Sequence, residues 1–370
     1  MAQVPSHIEA LRPYQGGKPI EELARERGLS DIVKLASNEN PLGPSPLALE
    51  AAHRALEGVH RYPDGAGHRL RTAIADFHGV TPDEVVQGNG SNEIIELLVR
   101  TFVTPNDEIV FGDPSFAMYP VVAQAQGVGF RKVKTTVDLV HALDAWSEAL
   151  GPKTKLLLLD NPNNPTGTYV PRAALERFLR QVPERAIVAL DEAYFEFATA
   201  DDYPDGLQLR DLHPNIVVLR TFSKAYGLAG MRVGYGIGPA ELVGYLHRVR
   251  APFNVGVPSQ EAAIAALGDH QHLQRTVELN TRERARLERE LARWATRVFP
   301  SQANFILADF GRPSADLNEA LLSRGVIVRP LPGLATHLRV TVGSERENDK
   351  LLGALAEIFA AAPGSNGGAR

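Results

Sequence analysis

The chain predicts an α/β fold built on a mainly parallel sheet, and three observations carry that expectation. Short apolar runs alternate with amphipathic stretches of helical period from residue 83 to residue 237. Several runs are apolar without interruption (LLLL at 156–159, AIVAL at 186–190, VVL at 217–219), the pattern of strands covered on both faces. Each run ends in a polar, Pro- or Gly-rich turn, and open α/β sheets bind ligands outside the carboxyl ends of their strands.

In chain order, residues 1–30 read as an arm, turn-rich at Leu11-Arg12-Pro13-Tyr14-Gln15-Gly16-Gly17-Lys18-Pro19, with a short helix at 20–27. The stretch Leu35–Pro44 (LASNENPLGP) is forced into an irregular loop, and long irregular loops in compact enzymes are usually functional. Helices are expected at 46–57 and 68–78, separated by the turn His60–Gly67, and a strand at 83–86. Then Gly88-Asn89-Gly90-Ser91-Asn92 leads into an apolar-periodic helix at 94–103; the unpaired amides of a helix start can hold an anion. Strands follow at 108–111, 155–159, 186–190, 217–219 and 233–237.

The turn Ala251–Pro258 marks a boundary. Beyond it, long helices at 259–296, strands at 304–308, 326–329 and 337–342, and helices at 315–323 and 346–361 describe a smaller α+β unit. The expected division is an arm (1–30), a large domain (31–255), a small domain (256–362) and a disordered tail at 363–370, PGSNGGAR.

Composition narrows the function classes. At 370 residues, 44% hydrophobic and 22% charged, the chain is long enough for two domains and a sizeable core. A formal net charge of −5 gives no reason to expect nucleic acid or an anionic membrane as partner. The absence of cysteine excludes disulfides, thiolate chemistry and cysteine-ligated metal; no metal is expected, and a reducing cytoplasm fits. No run of about 18 apolar residues offers a membrane span, and MAQVPSHIEALRPY does not read as a signal peptide.

The chemistry is concentrated around Thr221-Phe222-Ser223-Lys224, just past the run 217–219. An amine that can form a Schiff base stands beside two hydroxyls, with the Arg232 guanidinium eight residues on. That set is what pyridoxal 5'-phosphate (PLP) requires. A lone Ser-Lys pair would more often be a solvated loop. The order Asn164, Asp191, Lys224, Arg232, each at or after a strand end, argues otherwise. T-F-S-K-A-Y-G-L-A-G-M-R-x-G-Y resembles the lysine motif of the fold-type I PLP-dependent aminotransferases, and its wording is closest to the histidinol-phosphate aminotransferases. The resemblance runs from Tyr14 to Gly343 and includes the L-x-P-Y arm, the L-x-x-N-E-N-P loop, N-N-P-T-G and D-E-A-Y.

The resemblance implies roles. Lys224 would carry the cofactor and move the proton; Asp191 would face the pyridine nitrogen; Tyr194 and Asn164 would bond the phenolic oxygen. Gly90, Ser91, Asn92, Thr221, Ser223 and Arg232 would hold the phosphate, and Phe116 would lie on the ring face. Tyr62 would reach the cofactor phosphate of a second copy in a homodimer. Arg339, Arg329 and Tyr14 would bind substrate: an amino donor lacking an α-carboxylate but carrying a phosphate, histidinol phosphate, with 2-oxoglutarate as acceptor. An aminotransferase for aromatic amino acids and a phospho-amino-acid decarboxylase share most of these motifs. A transcription regulator with such a domain would need a helix-turn-helix ahead of it, and Pro5, Pro13, Gly16, Gly17 and Pro19 leave no room for one. The resemblance also points to a cis peptide before Pro165, with a second candidate before Pro114.

Overall fold

The structure, a computed structural model, describes residues 3–13 and 16–361. Its strands in chain order are β1 (Val33–Lys34), β2 (Val85–Gly88), β3 (Glu108–Asp113), β4 (Gly129–Lys134), β5 (Thr154–Asp160), β6 (Ile187–Asp191), β7 (Ile216–Thr221), β8 (Gly234–Ile237), β9 (Arg297–Phe299), β10 (Phe305–Asp309), β11 (Val326–Ile327), β12 (Arg329–Leu331) and β13 (Leu334–Thr341).

Seven of them form one sheet in the order β2-β8-β7-β6-β5-β3-β4. All neighbouring pairs are parallel except the two that involve β8, which runs against both β2 and β7. Strands β6 and β7 are buried along their whole length, and β5 nearly so, because helices pack on both faces, which is why their sequences are apolar without alternation. Register decides where the chemistry falls. Asp160 ends β5 opposite Asp191, which ends β6 opposite Leu219 of β7. The reversed strand β8 begins at Gly234, beside Thr221 and Gly88, so its first residue joins the same edge. A Cβ on Gly234 would lie 2.5 Å from the Ser91 amide nitrogen, so only glycine lets the helix Ser91–Phe102 start this close to the sheet.

A second sheet, β12-β13-β10-β9, is antiparallel and packs its apolar residues against helices His270–Leu291, Ser314–Leu322 and Glu345–Ala361. The two-residue ladder of β1 with β11 fastens residues near 33 to this unit, and Leu35 continues it with backbone bonds to Ile327 and Thr341. The loop 36–40 is thereby drawn between the two sheets.

Local differences from the sequence reading have local causes. The strand expected at 83–86 lies at Val85–Gly88, because Pro82–Glu84 forms a single turn capped reciprocally by Thr81 and Glu84. The helix expected from 94 starts at Ser91, since Gly90, at φ 73°, already turns the chain into it. The run 233–237 is the antiparallel member of the sheet. The helical stretch 259–296 is two helices, Val257–Gly268 and His270–Leu291, the second started by Asp269, whose side chain accepts from the His272 amide at 3.0 Å. Strand β4, GFRKVK, is a largely exposed edge with no apolar run to announce it.

Candidate active site

One cavity of about 880 Å³ opens at the carboxyl ends of β5, β6 and β7. It is walled by the turn after β7, the helix start at Ser91, the loop 36–38 and β12–β13. Lys224, Asp191, Tyr194, Asn164, Thr221, Ser223, Arg232, Gly90, Ser91, Asn92, Phe116, Arg329 and Arg339 all line it. Tyr14 lies outside the described residues, although Pro13 and Gly16 on either side of that gap line the same cavity. Tyr62 does not line it: the residue is 83% exposed, and its ring stacks on Phe253 at 4.9 Å.

Lys224 sits in the turn after β7, its Nζ 3.1 Å from the carbonyl oxygen of Ser37 and 5.7 Å from the centre of the Tyr194 ring. Burial, helped by the positive charge of Arg339, lowers its pKa to about 8. A lysine with that proton affinity has an appreciable neutral fraction near physiological pH, the form that attacks a carbonyl.

Asp191 is buried. Tyr119 donates to its Oδ2 at 2.9 Å and the Ala193 amide to its Oδ1 at 3.3 Å. Burial, with the charge of Asp160 next to it, lifts its pKa to about 7. A carboxylate so placed favours any proton or cation set against it. Tyr194 accepts hydrogen bonds from Asn38 Nδ2 at 2.9 Å and Asn164 Nδ2 at 3.3 Å; burial lifts its pKa to about 12, so the phenol stays protonated.

Arg232 adopts a left-handed backbone at φ 51° and aims Nη1 at Ser223 Oγ, 3.3 Å away. A Cβ on Gly90 would stand 2.8 Å from Arg232 Nη2, so guanidinium, helix start and hydroxyls form a tight anion cradle. Phe116 stands edge-on to Tyr119 at 5.5 Å. On the opposite wall Arg329 of β12 pairs in register with Arg339 of β13. Arg339 Nη1 donates to Asn164 Oδ1 at 2.7 Å and Nη2 to the Ala36 carbonyl at 2.6 Å.

The peptide before Pro114 is cis, as the resemblance suggested. The one before Pro165 is not; the second cis bond precedes Pro162. The turn around Pro165 is instead held by the Asn164 amide on Asp160 Oδ2 at 2.9 Å and the Gly167 amide on the Asn163 carbonyl at 2.8 Å.

The sequence reading left four contributors without a role: Ser37, Asn38, Tyr119 and Asp160. Tyr119 stands in the first turn of the helix Met118–Ala125, just past the cis-Pro114 turn, and no local pattern marks it. Asp160 ends its strand just as Asp191 does, which was a readable signal.

The donor set fits PLP: an amine of lowered proton affinity, a buried carboxylate and a cradle of hydroxyls, amides and guanidinium stand on one cavity. The model of the family described as Aminotransferase class I and II matches residues 30–355. A histidinol-phosphate aminotransferase of Anaeromyxobacter sp. (strain Fw109-5) is 51% identical over 364 residues, covering 98% of this chain and 100% of the relative. One from Moorella thermoacetica is 45% identical, covering 97% of this chain and 95% of the relative. The crystal structure of a histidinol-phosphate aminotransferase from Sinorhizobium meliloti in complex with pyridoxal-5'-phosphate superposes with a TM-score of 0.90 at 29% identity, covering 98% of this chain and 99% of that one. With the cavity, its lysine and its cradle in place, these likenesses leave one assignment: the chain belongs to the class I and II aminotransferases.

Proposed function

We propose that this PLP-dependent aminotransferase moves the amino group of L-histidinol phosphate to 2-oxoglutarate, giving imidazole acetol phosphate and glutamate in histidine biosynthesis. The observation that carries the substrate reading is the register pair Arg329–Arg339, two guanidiniums on adjacent strands facing the cavity that contains Lys224. A phosphate dianion on the donor suits such a pair, and the carboxylates of glutamate and 2-oxoglutarate can reuse it. The relatives named above are histidinol-phosphate aminotransferases by name, which supports the choice of amino donor.

When bound, PLP supplies an electron sink for the carbon that bears the transferred amine. The chain's residues do the rest. Asp191 holds a proton at the ring nitrogen. Tyr194 and Asn164 hydrogen-bond the phenolic oxygen. The Ser91 helix start, Thr221, Ser223 and Arg232 bind the phosphate, and Phe116 covers the ring. Nζ of Lys224, once neutral, would take the proton from the substrate carbon that bears the amine and would deliver it to C4′ of the cofactor. Arg339, already bonded to Asn164, couples grip on the substrate to the position of that amide.

The reading extends to the whole molecule. We take residues 1–30 as an arm, 31–255 as the large domain and 256–362 as the small one; the tail expected at 363–370 lies outside the described residues. The exposed Tyr62 fits a homodimer in which it meets the cofactor phosphate of the second copy, and a cytoplasmic enzyme is expected. Among the described residues no helix is long and apolar enough to cross a membrane.

The direct test is an amino-donor panel with 2-oxoglutarate as acceptor, following glutamate. L-Histidinol phosphate should be the preferred donor. A preference for phenylalanine or tyrosine would make the enzyme an aromatic aminotransferase, and carbon dioxide release without consumption of 2-oxoglutarate would make it a decarboxylase.

A further inference from the structure

Behind Asp191 lies a second carboxylate. Asp160 and Asp191 are the in-register last residues of adjacent parallel strands, so their side chains leave the same face of the sheet about 4.8 Å apart along the hydrogen-bonding direction. Both are buried, at 3% and 4% exposure. Two carboxylates this close and this dry repel each other unless something holds them.

Asp160 is held. His141 Nε2 lies 3.1 Å from its Oδ1, and the Asn164 amide donates to its Oδ2 at 2.9 Å. His141 is itself buried and fixed: it packs edge-on against Trp146 at 5.5 Å, and a Cβ on Gly112 would come within 2.4 Å of its Cε1. Its Nδ1 is buried with no hydrogen-bond partner among the described residues, so a proton there would have no acceptor. The imidazole is therefore assigned the Nε2–H tautomer, which donates to Asp160 and leaves the carboxylate charge uncancelled. The other titratable neighbours of the two carboxylates are Tyr119, which donates to Asp191, Glu192, which adds negative charge, and Tyr194, whose phenol is engaged by Asn38 and Asn164.

We propose that Asp160, anchored by His141, is a positioning residue that acts through Asp191: its charge strengthens the hold of Asp191 on the proton at the cofactor's ring nitrogen. His141 and the Asn164 amide keep Asp160 aimed. The same carboxylate orients the turn that presents Asn164, so one side chain serves both the nitrogen side and the phenolic side of the ring.

The inference rests on the PLP reading, and the test separates the two. The full-length chain, freed of cofactor, is titrated with PLP and with the carbocyclic analogue in which ring nitrogen is replaced by CH. The wild type should bind PLP more tightly than the analogue. Asp160→Asn keeps the acceptor for the Asn164 amide and removes the charge; it should narrow that preference roughly ten- to a hundredfold while leaving affinity for the analogue unchanged. The ¹⁵N shift of the ring nitrogen in the reloaded enzyme should move toward the unprotonated value. Should Asp160→Asn fail to fold, His141→Phe should narrow the preference and His141→Gln, which retains a donor, should restore it. A preference unchanged in Asp160→Asn, or in His141→Phe where only that variant folds, overturns the proposal. A wild type that binds neither compound overturns the PLP reading, and one that binds both equally overturns the role of Asp191, the proposal falling with it in either case.

Discussion

Arg339 and Asn164, 175 residues apart in the chain, share a hydrogen bond of 2.7 Å across the floor of the cavity. One is the expected grip on the substrate anion, the other an expected partner of the cofactor's phenolic oxygen, and each holds the other in place. Asn164 also donates to Tyr194, so its side-chain amide links Arg339 to Tyr194. Asn164→Ala removes the acceptor from a buried guanidinium, a loss of roughly 1.5–3 kcal/mol for a charge-assisted bond. We expect kcat/KM to fall about tenfold or more, with the KM for amino donor rising. Steady-state kinetics check this; an unchanged KM would show that Arg339 is positioned without Asn164.

Lys224 gives a prediction in pH. Its lowered pKa means that the neutral amine, scarce at pH 6, becomes the major form above about pH 8. The rate at which cofactor-free enzyme captures PLP, followed by absorbance, should therefore rise with pH and level off above 8; a rise centred near 10 would show an ordinary, solvated lysine. Borohydride reduction of the loaded enzyme should fix the cofactor to the peptide that contains Lys224, and mass spectrometry reads the site.

Asp191→Asn separates electrostatics from structure. Asparagine keeps one acceptor oxygen, enough for the shorter bond from Tyr119, and gives up only the longer contact with the Ala193 amide, so the fold and cofactor binding should survive. What is lost is the charge that, in the proposed role, would hold a proton at the ring nitrogen. Turnover should drop about a hundredfold or more, with a melting temperature close to that of the wild type. Wild-type kcat in this variant would make Asp191 structural.

Much of this site is legible in the sequence, and the reason is topological. Asp191, Lys224 and Asn164 follow uninterrupted apolar runs, and strand ends in such a sheet converge on one edge. What was not legible depends on contacts between distant segments. Ser37 and Asn38 reach the cavity because Val33–Lys34 pairs with Val326–Ile327; no local pattern in a two-residue strand signals a partner that far along the chain. The hydrogen bond from Asn38 to Tyr194 spans 156 residues. The reversal of β8 escaped notice because a buried apolar strand looks the same in either direction. His141 escaped because its significance comes from Asp160, and a lone histidine in a loop more often serves the core.

The substrate assignment is tested most directly by one ratio: kcat/KM for L-histidinol phosphate divided by kcat/KM for phenylalanine, measured in the wild type and in Arg329→Ala. Arg329 faces the cavity beside Arg339 and should engage the phosphate that only the first donor carries. The expected result is a ratio well above one in the wild type that falls roughly ten- to a hundredfold in Arg329→Ala. A ratio that does not change, with activity on both donors reduced alike, would contradict the phosphate site.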